Sequence, residues 1–390
     1  MTQTTGKQGQ EAHDHGKTMQ SPWKLIAVLS LCWFAVLGSV TLIFLLPQES
    51  AGLEETADAL LLSPPFSLGY DLASSFEAIG STLVRVEDEG LVVLDATGRE
   101  QSFIGFPYRE SRIIPMQEGL VVTPARGAGF MLITSDLTCY EIDAHETVYG
   151  ADYRTGHLLT FGPSSQSGLV VVLYDMSTEL NELTLSFLPS QWPVRVAFVP
   201  DRAFFDVLLL DLSEGTPLTR LQRYDYAGNQ VLNLLYRQEE LFPCIGHLAD
   251  GESILYNDRA IMLTDFDTGQ VKAMETWDRV EQVGLAGGKY AILSSKEGRA
   301  QFSFILPPIE RGDRVLFEPD LSEQVVSFAL ARDGNLALAA STGELLLYDV
   351  NTGVLIARRS TQSQARRILA LGDRSFLVIF ADDAALAMVR

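Results

Sequence analysis

LLLYDVNTGVLIA, residues 345–357, is an apolar run that ends in an aspartate, reverses through Asn-Thr-Gly and sets off again as a second apolar run. Those turn residues tolerate left-handed backbone and bond back to their own main chain, so the stretch reads as two antiparallel strands joined tightly. The same arrangement recurs in IMLTDFDTGQVKA (261–273) and VVLDATGRE (92–100), and more loosely in MLITSD, VVLYDMS and LQRYDYAGNQ. The aspartates that mark it are Asp95, Asp136, Asp175, Asp225, Asp265 and Asp349, at intervals of 41, 39, 50, 40 and 84, the last being two units of 42. The unit without a marker falls on QFSFILPPIERGDRVLF (301–317), whose turn is rebuilt around Pro307 and Pro308, and AALAMVR supplies a final copy.

A second strand pair precedes each marker, as in VRVAFVPDRAFFDVLLL (194–210), CIGHLADGESILY (244–256), VVSFALARDGNLALAAS (325–341) and RRILALGDRSFLVIF (366–380). Two turns per unit imply four strands. Four-stranded units of ~40–45 residues bury their faces only against one another, which is the requirement a β-propeller meets. The expected fold class is therefore all-β, an eight-bladed β-propeller over 66–390 at about 41 residues per blade. Seven blades is the alternative if the irregular stretch from Asn181 to Pro217 forms no unit. The last unit stops after its third strand, so the segment around Ala59 to Leu68 is expected to supply the missing outer strand and close the circle.

At VAFVPDR, SFALARDGNLALAAS and LLLYDVNTG the chain resembles the WD40-like and quinoprotein-like (PQQ-like) propeller superfamilies, over nearly all of 66–390. The Trp-Asp dipeptide of WD40 repeats and the regularly spaced tryptophans of quinoprotein repeats are absent, so the resemblance implies a fold. The layout looks similar to uncharacterised membrane-anchored propellers of bacteria. The blade count is also similar to that of a quinoprotein-like lipoprotein family of outer-membrane barrel assembly, without its lipid-bearing cysteine.

Upstream, LIAVLSLCWFAVLGSVTLIFLL runs from Leu25 to Leu46 without a charge, and 22 residues at ~1.5 Å each cross a ~30 Å hydrocarbon layer. It is too long for the apolar part of a signal peptide, and Leu31 before Cys32 is too bulky for a lipid-attachment site. Lys7, Lys17 and Lys24 precede it, while Glu49, Glu54, Glu55 and Asp58 follow it, which puts the N-terminus in the cytoplasm. The expected domains are a disordered tail (1–24), a transmembrane α-helix (25–46), a stalk (47–65) and an extracytoplasmic propeller (66–390). The formal charge of −21 argues against nucleic acid as a partner.

No catalytic constellation stands out, and neither cofactor nor metal is expected. Asp265-Phe-Asp267-Thr-Gly269 and Asp349-Val-Asn351-Thr-Gly353 mimic the start of a calcium loop, but neither reaches the glutamate such a loop needs, and a tight turn needs these residues anyway. His13 and His15 lie in the polar tail. His145, His157 and His247 fall in different units, and Cys139 and Cys244 read as small buried hydrophobes. The connections between blades gather on one face and carry Tyr108, Arg109, Trp192, Phe242, Trp277, Arg279, Arg358, Arg359, Arg366 and Arg367. Aromatic platforms beside guanidinium groups suit a protein, peptide or glycan partner. The expected function is a membrane-tethered, non-enzymatic recognition or scaffold module, with a propeller enzyme (quinone-dependent dehydrogenase or hydrolase) or a ligand sensor as the alternatives.

Overall fold

The computed structural model describes residues 59–67, 76–95, 97–249, 251–306, 315–317 and 324–390. They all lie in the second of two compact units, Glu55–Arg390. The expected tail and membrane helix lie outside the described residues, among which no helix is long and apolar enough to cross a membrane.

The described strands form eight antiparallel sheets. Blades 1 to 7 span 76–105, 111–142, 150–186, 191–236, 244–276, 279–317 and 327–360, each with four strands in chain order. Blade 8 takes three strands from 367–389 and its fourth from Leu60–Leu62, paired in register with Val389, Met388 and Ala387. First strands of neighbouring blades pack together around the axis. Seven blades are excluded, because Asn181 to Pro217 holds the last strand of blade 3 and the first two of blade 4. The 50-residue interval has a simple source: blade 4 opens with a strand of eight residues against five in blade 3, and its first two turns, 199–203 and 212–217, are longer than the 155–156 and 165–167 of blade 3.

The marker aspartates earn their recurrence by closing the turn between the third and fourth strands. Asp95 Oδ1 accepts from the backbone N–H of Thr97 at 2.7 Å and of Arg99 at 2.9 Å. Asp175, Asp225, Asp265 and Asp349 accept from Ser177, Asn229, Thr268 and Asn351 at 2.7–2.9 Å. Hydrogen bonds to the ionised form hold the carboxyls of Asp95, Asp136, Asp175 and Asp225 below the ordinary range, and that of Asp265 down to about 2.

Eight hydrophobic clusters, one at each interface between neighbouring blades, make up the core. Leu60 is fully buried in the cluster between blades 7 and 8, against Leu338 and Phe376 among others. Leu60→Ala removes that contact from the closing strand and should destabilise the ring by about 2–5 kcal/mol. Guanidinium unfolding of the variant will show a lowered midpoint, whereas an unchanged midpoint means the ring is held shut without this strand.

Candidate functional site

The ten residues selected from the sequence do not form one surface. Phe242 is a correction: it is 1% exposed and packs between blades 4 and 5, because its N–H donates to Thr219 Oγ1 at 2.9 Å and draws the connection inward. Trp277 and Tyr108 are half-buried against the clusters of blades 5–6 and 1–2, and burial raises the Tyr108 phenol. Arg109 is exposed beside a depression lined by Val86 and Phe106, and Arg279 is exposed at the start of blade 6.

The four arginines between 358 and 367 divide. Arg358 pairs with Glu344 at 3.4 Å, while Arg367 turns inward to blade 1, donating to Phe76 O at 2.9 Å and meeting Glu77 at 3.1 Å. Arg359 is half-buried and Arg366 exposed. The cysteines are free, but Cys139 is exposed on an outer strand and Cys244 half-buried, so neither is the buried hydrophobe expected.

Trp192 stands 51% exposed, its indole N–H donating to Pro189 O at 2.8 Å. It has company that sequence reading missed. Leu188 (61% exposed) lies in the connection that leads into the strand of Trp192, and Leu212 reaches this rim because its N–H donates to Ser190 O at 2.8 Å. Leu241 is exposed in the next connection. Turns between second and third strands and connections between blades share one face of a propeller, so these four residues crown blade 4 on that face. A Trp with three leucines left in water on a loop face has the composition of a contact surface.

The opposite face carries the turns between first and second strands, and here the central channel opens into a cavity of about 450 Å³. Its rim is asymmetric. On the side of blades 5 to 8 the turns touch: Ala249 N–H donates to Gly288 O at 2.9 Å, and Arg332 N–H to Gly372 O at 3.3 Å. Gly287 and Gly334 have positive φ, and a Cβ on Gly287 would lie 1.9 Å from Asp333 O, so only glycine permits this approach. On the side of blades 2 to 4 the wall is polar, with Glu118, Asp152, Arg154 and Arg195.

Asp152 accepts from the N–H of Phe198 in the next blade at 2.7 Å, and desolvation in the wall lifts its carboxyl to about 6 against that bond and the pull of Arg195. Behind the wall, Arg223 binds Asp206 through two bonds of 2.7 and 2.8 Å, reaches Phe266 O at 2.5 Å and lies 3.6 Å from the Phe266 ring centre. His247 completes this group, with Nδ1 3.1 Å from Ser253 Oγ and a buried Nε2 that has no hydrogen bond and lies 3.5 Å from Asp206. Burial pushes its imidazole down to about 4. The pair ties blade 4 to blade 5 across their interface. Spacing could not reveal the group, because its polar members, Asp206, Arg223, His247 and Ser253, are scattered as single residues over four strands.

The carboxylates of the two calcium-like turns serve the fold. Asp265 and Asp349 bond their own turns, and Asp267 pairs with Arg202 at 2.8 Å.

These features define the class, an eight-bladed β-propeller. The chain matches no protein-family model, and no curated protein is similar to it by sequence. By structure it is similar to the computationally designed Ika8 protein, with a TM-score of 0.56 and 12% identity over 83% of this chain and 98% of that one. It is likewise similar to BamB from Moraxella catarrhalis, a PQQ-like propeller, with a TM-score of 0.50 and 11% identity over 84% and 99%. The β-propeller domain of Cps50 (Swd1) from Myceliophteria thermophila gives 0.45 and 12% over 85% and 100%. At such identities the likeness is one of fold.

The channel groups leave a thermodynamic signature. A carboxyl raised in the native state adds stability below its ordinary value of 3.8 and loses it as pH rises through about 6. An imidazole held neutral does the reverse, losing stability as pH falls from 6.5 towards about 4. Asp152→Asn keeps an acceptor for Phe198 and deletes the charge, so it should melt about 2–5 °C above the parent at pH 7 and level with it at pH 4. A variant that melts below the parent at pH 7 would mean that the ionised carboxylate supports the fold.

Proposed function

We propose that the chain is a membrane-tethered, extracytoplasmic propeller that acts as a non-enzymatic recognition or scaffold module for a protein or peptide partner. The observation that carries the reading is the crown of blade 4, where Trp192, Leu188, Leu212 and Leu241 are all exposed on the face that gathers the connections between blades. Holding four large apolar side chains in water costs free energy, which a partner returns when it covers them. The fold supports the reading too, since a closed ring presents rigid loops and little of its contact energy is spent on ordering them. Tethering rests on the uncharged run from Leu25 to Leu46 and the charges that flank it.

The partner test is crosslinked capture with the full chain from its own membranes. The triple variant Leu188→Ala, Trp192→Ala, Leu212→Ala should keep the parental melting temperature and lose the captured protein by about tenfold or more. Equal recovery by the variant would sink the assignment of this face.

Topology has its own reporter in the exposed thiol of Cys139. Burial of part of the side chain and nearby Glu141 raise its pKa, which slows labelling without preventing it. With the propeller outside, a membrane-impermeant maleimide added to sealed right-side-out vesicles will label Cys139 as fully as in lysed ones. Labelling only after lysis would place the propeller in the cytoplasm.

A further inference from the structure

The channel mouth gathers three arginines from separate blades on the wall of one cavity. The chain carries 50 acidic side chains against 29 basic ones, so an arginine has carboxylates in excess to pair with. Arg85, Arg202, Arg220, Arg223, Arg237 and Arg367 do so at 2.5–3.1 Å. Arg154, Arg195 and Arg332 do not, and although surface arginines such as Arg109 and Arg299 are likewise without a carboxylate within 4 Å among the described residues, these three are set apart by lining one cavity. They come from blades 3, 4 and 7, about 40 and 140 residues apart in sequence, and meet only on the wall of one cavity.

Arg332 reaches across the ring, its guanidinium 3.4 Å from Gln117 O of blade 2. Partial burial lowers its pKa against the opposing pull of Asp373 and Glu118, so the fold holds this charge against a desolvation cost with two carboxylates facing it. The cavity, about 450 Å³, has the size of a small-molecule site. Guanidinium groups present forked donors that match the oxygens of carboxylate and phosphate.

We propose that the channel mouth binds a small dianionic solute, a dicarboxylate or a phosphate, between Arg154, Arg195 and Arg332. This site lies on the face opposite Trp192 and is independent of the protein contact placed there.

Asp152 sets the pH at which such a site opens. It faces Arg154 on its own strand, Arg195 and the Phe198 N–H on blade 4, and Tyr226 in the turn after blade 4's third strand, while Glu118 and His247 stand elsewhere on the cavity wall. Its ionised carboxylate competes with an anion for the arginines, and its protonation near pH 6 withdraws the competitor. His247 stays neutral down to about pH 4 and adds no charge in that range. Anion affinity therefore rises as pH falls from 7.5 to 5.

Isothermal titration of the full chain at low salt tests the site, with oxalate and inorganic phosphate as separate probes at pH 7, the tighter of the two identifying the source. One site per chain is expected. Arg154→Gln and Arg195→Gln should each weaken binding roughly ten- to hundredfold, while Arg237→Gln, paired with Glu214 on the outer rim, leaves it unchanged. No heat from either probe, or several weak sites indifferent to the arginine variants, overturns the proposal. Oxalate keeps both charges between pH 5 and 7.5, so it also reads the coupling should the arginine variants fail to fold. Parental affinity should increase on acidification, and Asp152→Asn should bind at pH 7.5 as the parent does at pH 5. Parental affinity that is flat or falls with acid overturns the site.

Discussion

The middle strands of the described blades are buried on both sides, almost always by apolar residues, and that constraint governs the rest. In Gly90–Leu94 of blade 1, Val92 and Leu94 enter the cluster shared with blade 8, while Leu91 and Val93 enter the one shared with blade 2. The alternation that in a half-exposed sheet would sort core from solvent here sorts one core from the next. No blade can bury itself alone, and a row of blades would leave one face bare at each end. The ring has to close, and the eighth sheet closes it by joining Leu60–Leu62 to a strand more than 300 residues away.

Closure leaves one problem at the axis, where the first strand of each blade has an unpaired edge. Part of that edge is satisfied by side chains from the preceding blade. Asp152 accepts from Phe198 N–H, Gln282 Nε2 donates to Phe328 O at 2.7 Å, and Arg367 donates to Phe76 O at 2.9 Å. A carboxylate, an amide and a guanidinium do the same kind of work because a strand edge offers both donors and acceptors. The burial that makes such a bond worthwhile also raises the Asp152 carboxyl, so a feature that stitches two blades leaves a titratable group on the channel wall.

This division of labour explains what could be read from the sequence. The blade count was legible because one function, capping the turn after the third strand, is met by one residue type at nearly every repeat, from Asp95 to Asp349. Blade 4 nearly disguised itself, since its extra residues lengthen its first strand and first two turns while the turn chemistry at Asp225 persists. The channel was illegible: Arg154, Arg195 and Arg332 are single charges in separate repeats, and nothing local distinguishes them from solvated ones. Runs misled in the other direction. The arginines from 358 to 367 look like a patch in one dimension, but a strand sends neighbours to opposite sides and the connection carries Arg367 to the axis. Phe242 failed for a related reason, because a connection between blades must dip into the interface to start the next strand, and an aromatic there is drawn in with it.

The two faces differ because the connectivity treats them differently. Four antiparallel strands put two tight turns of each blade on one face, and one tight turn plus the passage to the next blade on the other. Tight turns demand Gly, Asp and Asn, which is why the channel face is built from pairs such as Gly287-Gly288 and Asp333-Gly334 and offers more polar than apolar surface. The passage between blades has no such demand on its backbone. Leu188 can stand there, with Trp192 in the strand it leads into, at no cost to a turn, so apolar contact belongs to that face and anion chemistry to the other.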